Sequence, residues 1–312
     1  DGDSDSTVDT LSGNDNILFA SGTTLTSAGN ITLSAASGGM VTAGDLTLSA
    51  PSSITMTGTM SGTGDISLSA SNGITLNNGI STSSGSLNIN ANSSTLTLGS
   101  GATFSSTNAL TLAASSTTSS GDLTLTSSAS TISVNNALVS AGAVTMTAST
   151  GLTLSNSTLT GAGNISLQGG SSLSLASGMT ITSSAGNITL GASGGTITAN
   201  GALTLSSNGS ITVSNTLNAA GAATLYANSG ITLGNSFTAN GAVTLDADLD
   251  NSGAGDFTIS SGTLSTTNNA LTLTANDLAL TGSLNSGTGS TTINVSDGGS
   301  LGIGFSSGFG MN

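Results

Sequence analysis

The five-residue pattern Gly-(Asn/Asp/Ala)-apolar-Thr/Ser-apolar limits what this chain can fold into more than any other feature. It reads GNITL at 29–33, GDLTL at 44–48, GDISL at 64–68, GDLTL at 121–125, GAVTM at 142–146, GNISL at 163–167 and GNITL at 186–190. It continues as GALTL at 201–205, GAATL at 221–225 and GAVTL at 241–245, with GSLNI at 85–89 as a variant. Two apolar side chains flanking a Thr or Ser place one face inward and the other in water, the period-two signature of a half-buried strand. A recurrence near twenty residues is the mark of a repeat architecture.

Further short strands lie between the copies. Val144-Thr145-Met146 is followed by Leu152-Thr153-Leu154, then Leu159, and Ile165-Ser166-Leu167 opens the next rung. Three strands per turn of about twenty residues predict an all-β fold, a parallel β-helix (β-solenoid), with strands of neighbouring rungs paired in parallel. Gly, Asn and Ser between strands supply the bends, through positive φ or a side-chain bond to the backbone. Helix is excluded by the dominance of Thr, Ser, Gly and Asn and by the lack of any 3.6-residue period. Pro51, the only proline, sits between strands.

The motif starts also carry a longer repeat. They lie at 29, 44, 64, 85 and 108, then 121, 142, 163 and 186, then 201, 221 and 241, so each series opens with a step of only 13 to 15 residues. This order of steps indicates tandem duplication of a block, giving blocks at 29–107, 108–185, 186–268 and a partial block at 269–296. A short step holds two strands, so either a strand is lost there or the motif moves to another face. Residues 1–28 read as an acidic lead-in and cap or junction, and 297–312 as a Gly/Phe-rich cap or junction.

Composition narrows the function. The chain has no Lys, Arg, His or Cys, and all 14 acidic residues are Asp, for a formal net charge of −14. Nucleic acid and anionic membrane surfaces are excluded as partners, since both need basic side chains. No run approaches the ~18 apolar residues of a membrane span, and residues 1–9 lack the features of a signal peptide, so the chain reads as a segment exported earlier. Without Lys or Arg it offers trypsin no cleavage site, which suits an extracellular or bacterial cell-surface location.

The repeated units GNITLSA (29–35), GDLTLSA (44–50), GDISLSA (64–70) and GNITLGA (186–192) resemble the haemagglutinin-type repeats of filamentous haemagglutinin-like bacterial surface exoproteins. The likeness covers roughly residues 29–280. It implies a right-handed β-helix, shaft rather than secretion domain, because the Asn-Pro-Asn motifs of the latter are missing. It implies no catalytic residues.

Catalysis lacks its ordinary parts: no His, Lys, Cys or Glu is present to activate a Ser or Thr, so the chain is not expected to be an enzyme. Asp45, Asp65 and Asp122 share the second motif position and read as turn residues bonding local backbone amides. The one ligand chemistry the residues suggest is calcium, with Asp246, Asp248, Asp250 and Asp256 alternating through DADLDNSGAGDF like an oxygen-ligand loop. The bland reading is a polar insertion bulging from one rung. Asp1, Asp3, Asp5 and Asp9 form a second such group. Outward Thr pairs, Thr55/Thr57, Thr124/Thr126 and Thr272/Thr274, read either as β-forming residues on a solvated face or as part of a flat surface. The expected function is a structural subunit or adhesin shaft that stacks end to end on itself into a surface filament. The alternative is a binding module recognising glycan, receptor or ice along one face.

Overall fold

A computed structural model describes residues 16–35 and 38–296. The expected cap or junction roles of residues 1–15 and 297–312, and the acidic group Asp1, Asp3, Asp5 and Asp9, lie outside the described residues. Within them every regular element is a strand of three to five residues, thirty-nine in all. Each strand bonds in parallel to the one three places further along the chain. The fold is an all-β parallel β-solenoid of about thirteen coils, roughly 21 residues per coil, with a first, second and third strand in each.

Two compact units are distinguished among the described residues, one up to 142 with 146–150 and the other 143–145 with 151 onward. In the first, the inward positions of the second strands stack as Leu46, Ile66, Leu87, Leu110 and Ile132, with Leu48, Leu68, Ile89, Leu112 and Val134 as a parallel column. All are buried. In the second, Ile165, Ile188, Ile211, Ile231 and Phe257 form such a column on the first strands. Leu46, Ile66 and Val144 are at most 1% exposed, as the alternating pattern requires. Full burial of each such side chain contributes about 1.5–3 kcal/mol, and with only fourteen charged residues in the chain this aliphatic stack and the backbone ladders hold each unit together.

The short motif steps are resolved without loss of a strand. The motif at Gly29 precedes a third strand, Ile31–Ser34; at 44, 64, 85 and 108 it falls on second strands; at 121, 142, 163 and 186 on first strands; and from 201 on third strands again. Each short step spans two strands instead of three, so the motif moves by one face. The block starts precede the third, fourteenth, twenty-fifth and thirty-sixth strands, Ile31–Ser34, Leu110–Ala113, Ile188–Ala192 and Leu271–Ala275. The repeat is therefore eleven strands long, one short of four complete coils.

The motif glycines serve a different purpose from the one expected. None has positive φ; the glycines that do, such as Gly58 at φ 105° and Gly73 at φ 118°, lie elsewhere. The motif glycines instead sit where corners of successive coils approach closely. A Cβ on Gly85 would stand 2.1 Å from the Gly64 carbonyl oxygen, whereas Gly29, in the first described coil, has nothing within 4 Å of that position.

A second corner device uses buried hydroxyls. Ser140 Oγ donates to the Gly121 carbonyl and accepts from Gly142 N–H; Ser183 does the same between Gly163 and Gly186; Ser207 does so between Gly186 and Gly209. Each hydroxyl links the corner of its own coil to that of the coil before, satisfying groups that burial would otherwise leave unpaired.

Leu112→Ala removes a fully buried member of a column and is expected to cost about 2–5 kcal/mol. Thr111→Ala, one residue away on the solvated face, should stay within about 0.5 kcal/mol. Urea unfolding of the two variants checks this, and equal losses would contradict the inward assignment.

Candidate functional site

The Asp-rich segment joins the strand Val243–Asp246 to the strand Phe257–Ile259. Its path is fixed by close backbone contacts. Gly230 N–H donates to the Ala247 carbonyl and Leu249 N–H to the Ala227 carbonyl, while Ala247 N–H donates to the Thr274 carbonyl and Asn276 N–H to that of Gly255. Gly255 has no room for a side chain: a Cβ would meet the Ala247 carbonyl oxygen at 1.9 Å. Asn251 and Gly253 take positive φ, at 50° and 75°, completing the reversal.

Asp248 organises the loop. It is fully buried, and both its oxygens are engaged. Oδ1 accepts from Ser252 N–H at 3.0 Å and Ser252 Oγ–H at 3.2 Å; Oδ2 accepts from Gly253 N–H at 3.1 Å and Ser296 Oγ–H at 2.6 Å. Burial pushes its pKa up, but the Ser296 bond, the two backbone amides and the Ser252 hydroxyl outweigh that and hold it below the usual carboxylate range. Asp246, half-buried on the outward face, is pushed up by burial and by the Asp248 charge, partly offset by the bond from Asp248 N–H at 3.3 Å. Asp250 and Asp256 are exposed. Asp250 Oδ1 accepts from Ser252 N–H at 3.3 Å, and Asp256 Oδ1 from Asn276 Nδ2 at 3.4 Å.

Of the four carboxylates that the sequence spacing groups, Asp248 is buried, Asp246 half-buried, and Asp250 and Asp256 exposed. Among the described residues no three His, Cys, Asp or Glu side chains gather where they could hold a metal ion. The alternation that suggested an ion-binding loop instead turns Asp248 inward as a hydrogen-bond hub and leaves its neighbours outside. Sequence reasoning missed this role because the partner Ser296 lies 48 residues away.

The second-position residues of the motif also differ from expectation. They bond backbone amides, but those of the next coil instead of local ones. Asp45 Oδ1 accepts from Asp65 N–H at 2.9 Å and Asp65 Oδ1 from Ser86 N–H at 2.7 Å. Asn164 and Asn187 accept in the same way from the amides of Asn187 and Ser210, both at 2.8 Å. The expected Thr pairs are at the surface or half-buried, and Tyr226 lies in an outward file between Ser206 and Asp246.

A family model described as repeats of unknown function (DUF5649) matches residues 20–90 and 192–246. The second stretch is equivalent to about 35–89 of the first by the block spacing, and over that shared part the motif falls on second strands in one and third strands in the other. No curated protein and no solved structure matches, so the likeness to haemagglutinin-type repeats stands on the motif alone.

Asp248→Ala leaves buried donors without an acceptor and is expected to cost about 2–4 kcal/mol, against at most about 0.5 kcal/mol for Asp250→Ala. Because the folded-state pKa of Asp248 is depressed, its contribution is complete above the unfolded value of about 4 and is lost as pH falls through the folded one. Urea midpoints should therefore fall more steeply below about pH 4 in the wild type than in Asp248→Asn. With Asp248 committed to four hydrogen bonds within the protein, chelator should leave the melting temperature unchanged, and a drop on chelation would support the calcium reading.

Proposed function

We propose that this chain is a structural shaft of an extracellular or bacterial cell-surface fibre, built by end-to-end association of copies. The observation that carries this reading is the exposure of inward apolar positions in the last described coil. Leu278 and Leu280 continue the column of Phe257 and Ile259, and Leu284 and Ile293 continue those of Leu264 and Leu273. The earlier members are fully buried, while Leu280 is 41% exposed and Leu278, Leu284 and Ile293 are partly exposed. In the other unit, the first described coil presents Leu25 at 37% exposure above fully buried Leu48. Open strand edges with apolar inward positions invite a further coil, and a second copy offers strands of the same spacing and direction.

A mechanical role also suits the chemistry. The interior is aliphatic, the outward positions are Thr, Ser and Asn, and the carboxylates among the described residues serve corners and one loop rather than a shared site. We read no catalytic role here, and adhesive contact with a glycan or receptor would be an addition to the shaft.

Electron microscopy and sedimentation of the purified chain across a concentration series test the proposal. Filaments or linear oligomers are expected, and Leu280→Asp together with Ile293→Asp should shift the population to single particles. Monodisperse particles at every concentration would contradict it.

A further inference from the structure

The outward face of the third strands in the second unit carries an unbroken file of threonines. Thr158, Thr180, Thr204, Thr224, Thr244, Thr272 and Thr292 follow one another in direct parallel register over seven coils. Two residues along each strand runs a second file: Thr160, Thr182, Ser206, Tyr226, Asp246, Thr274 and Asn294. The other faces of this unit are mixed. The first strands give Ser166, Thr189, Thr212, Thr232, Thr258 and then Ala279, and the second strands alternate Thr198, Asn218, Thr238 and Ser265. In the first unit a third-strand file Thr32, Thr55, Thr75, Thr97 and Thr118 ends at Val139.

Three properties of the seven-threonine file point to its occupant. Its hydroxyls are uncommitted: no hydrogen bond engages the hydroxyl of any of the seven, although corner hydroxyls such as those of Ser140, Ser183 and Ser207 are bonded. Its spacing is set by the backbone ladder at about 4.7–4.9 Å per coil, with the second file about 6.6 Å away along the strands. The face is also nearly neutral, with Asp246 the one charged side chain among fourteen positions in a chain of net charge −14. A charged polymer would find no complement there. A sugar-binding platform is built from several aromatic rings, and this face has only Tyr226. A rigid, uncharged array of methyl and hydroxyl groups at that interval complements a crystalline lattice of water, in which equivalent oxygens repeat at a comparable distance along the basal plane.

We propose that the third-strand face of the second unit is an ice-binding surface, with the file Thr158 to Thr292 as its contact line. The methyl groups exclude disordered water while the hydroxyls enter the lattice. Because the ladder holds all seven side chains in place before contact, little ordering entropy is lost on binding. Apart from Thr292, which shares its strand with Ile293, the file lies away from the coil ends invoked for assembly, so either can fail without the other.

The test is the shape and recrystallisation of ice grown in the purified full chain, with the fold of each variant checked by circular dichroism. The wild type should give faceted crystals and suppress recrystallisation. Thr204→Tyr with Thr244→Tyr, which replaces two members of the contact line itself by rings where the native Tyr226 stands only in the file beside it, should lower that activity by about tenfold or more, a factor worth ~1.4 kcal/mol. Asn218→Tyr, on the second-strand face, should leave it unchanged. Round, unshaped crystals with the folded wild type would overturn the proposal, as would equal loss of activity in Asn218→Tyr.

Discussion

Everything in this structure depends on parallel strands repeating one above another in strict register. Register places like over like: Leu over Ile over Leu inside, Thr over Thr outside, Asn or Asp over the amide of its successor at the corner. Once the backbone ladder fixes the interval between coils, a single inward choice repeated each coil builds a continuous apolar column. A chain without Lys, Arg, His or Cys has no salt bridges between side chains and no disulfides to fall back on. Its stability comes from burial in these columns and from hydrogen bonds that satisfy most of the corner groups burial would otherwise strand, Asn136 Oδ1 and Asn156 Oδ1 being exceptions.

The eleven-strand repeat set against a three-strand coil has consequences for the surface. Each block restarts one face away from the last, so chemistry tied to the repeat does not accumulate on one side. The block-to-block likeness of sequence is therefore a likeness of packing, since inward positions are alike on all three faces. The long threonine file of the second unit is the exception. It draws on consecutive motif copies at 201, 221 and 241 and the related strand Leu271–Ala275, all on third strands, and is extended on either side by threonines outside the motif.

Much of this was legible in the sequence. Period-two triplets such as Leu46-Thr47-Leu48 announced both the strand and its inward face, and a spacing near twenty residues announced the coil. Whether a strand was lost or the motif moved to another face stayed open, because first, second and third strands share one alternation and nothing local tells them apart. Positive φ was rightly expected of glycines between strands, as at Gly58 and Gly73, but the motif glycines were not legible for a related reason: Gly85 is required by the backbone of Gly64 one coil earlier, a neighbour 21 positions away. Asp248 carried the same ambiguity. Its spacing from Asp246 and Asp250 suggested shared ligation, and only the fold reveals that it faces Ser252, Gly253 and Ser296. Local pattern defines elements, and contacts between coils decide what each polar residue is for.

Register itself is open to direct measurement, helped by the absence of native cysteine. Thr224 and Thr244 are direct parallel partners, and strands ~4.8 Å apart bring their Cα atoms within the span a disulfide bridges. In the double variant Thr224→Cys with Thr244→Cys, mild oxidation should close an intramolecular disulfide rapidly. Moving the second cysteine one residue, to Val243, whose side chain is buried, should abolish that bond. Efficient crosslinking of Thr224→Cys with Val243→Cys, and none with Thr244→Cys, would contradict the in-register stack on which the whole account stands.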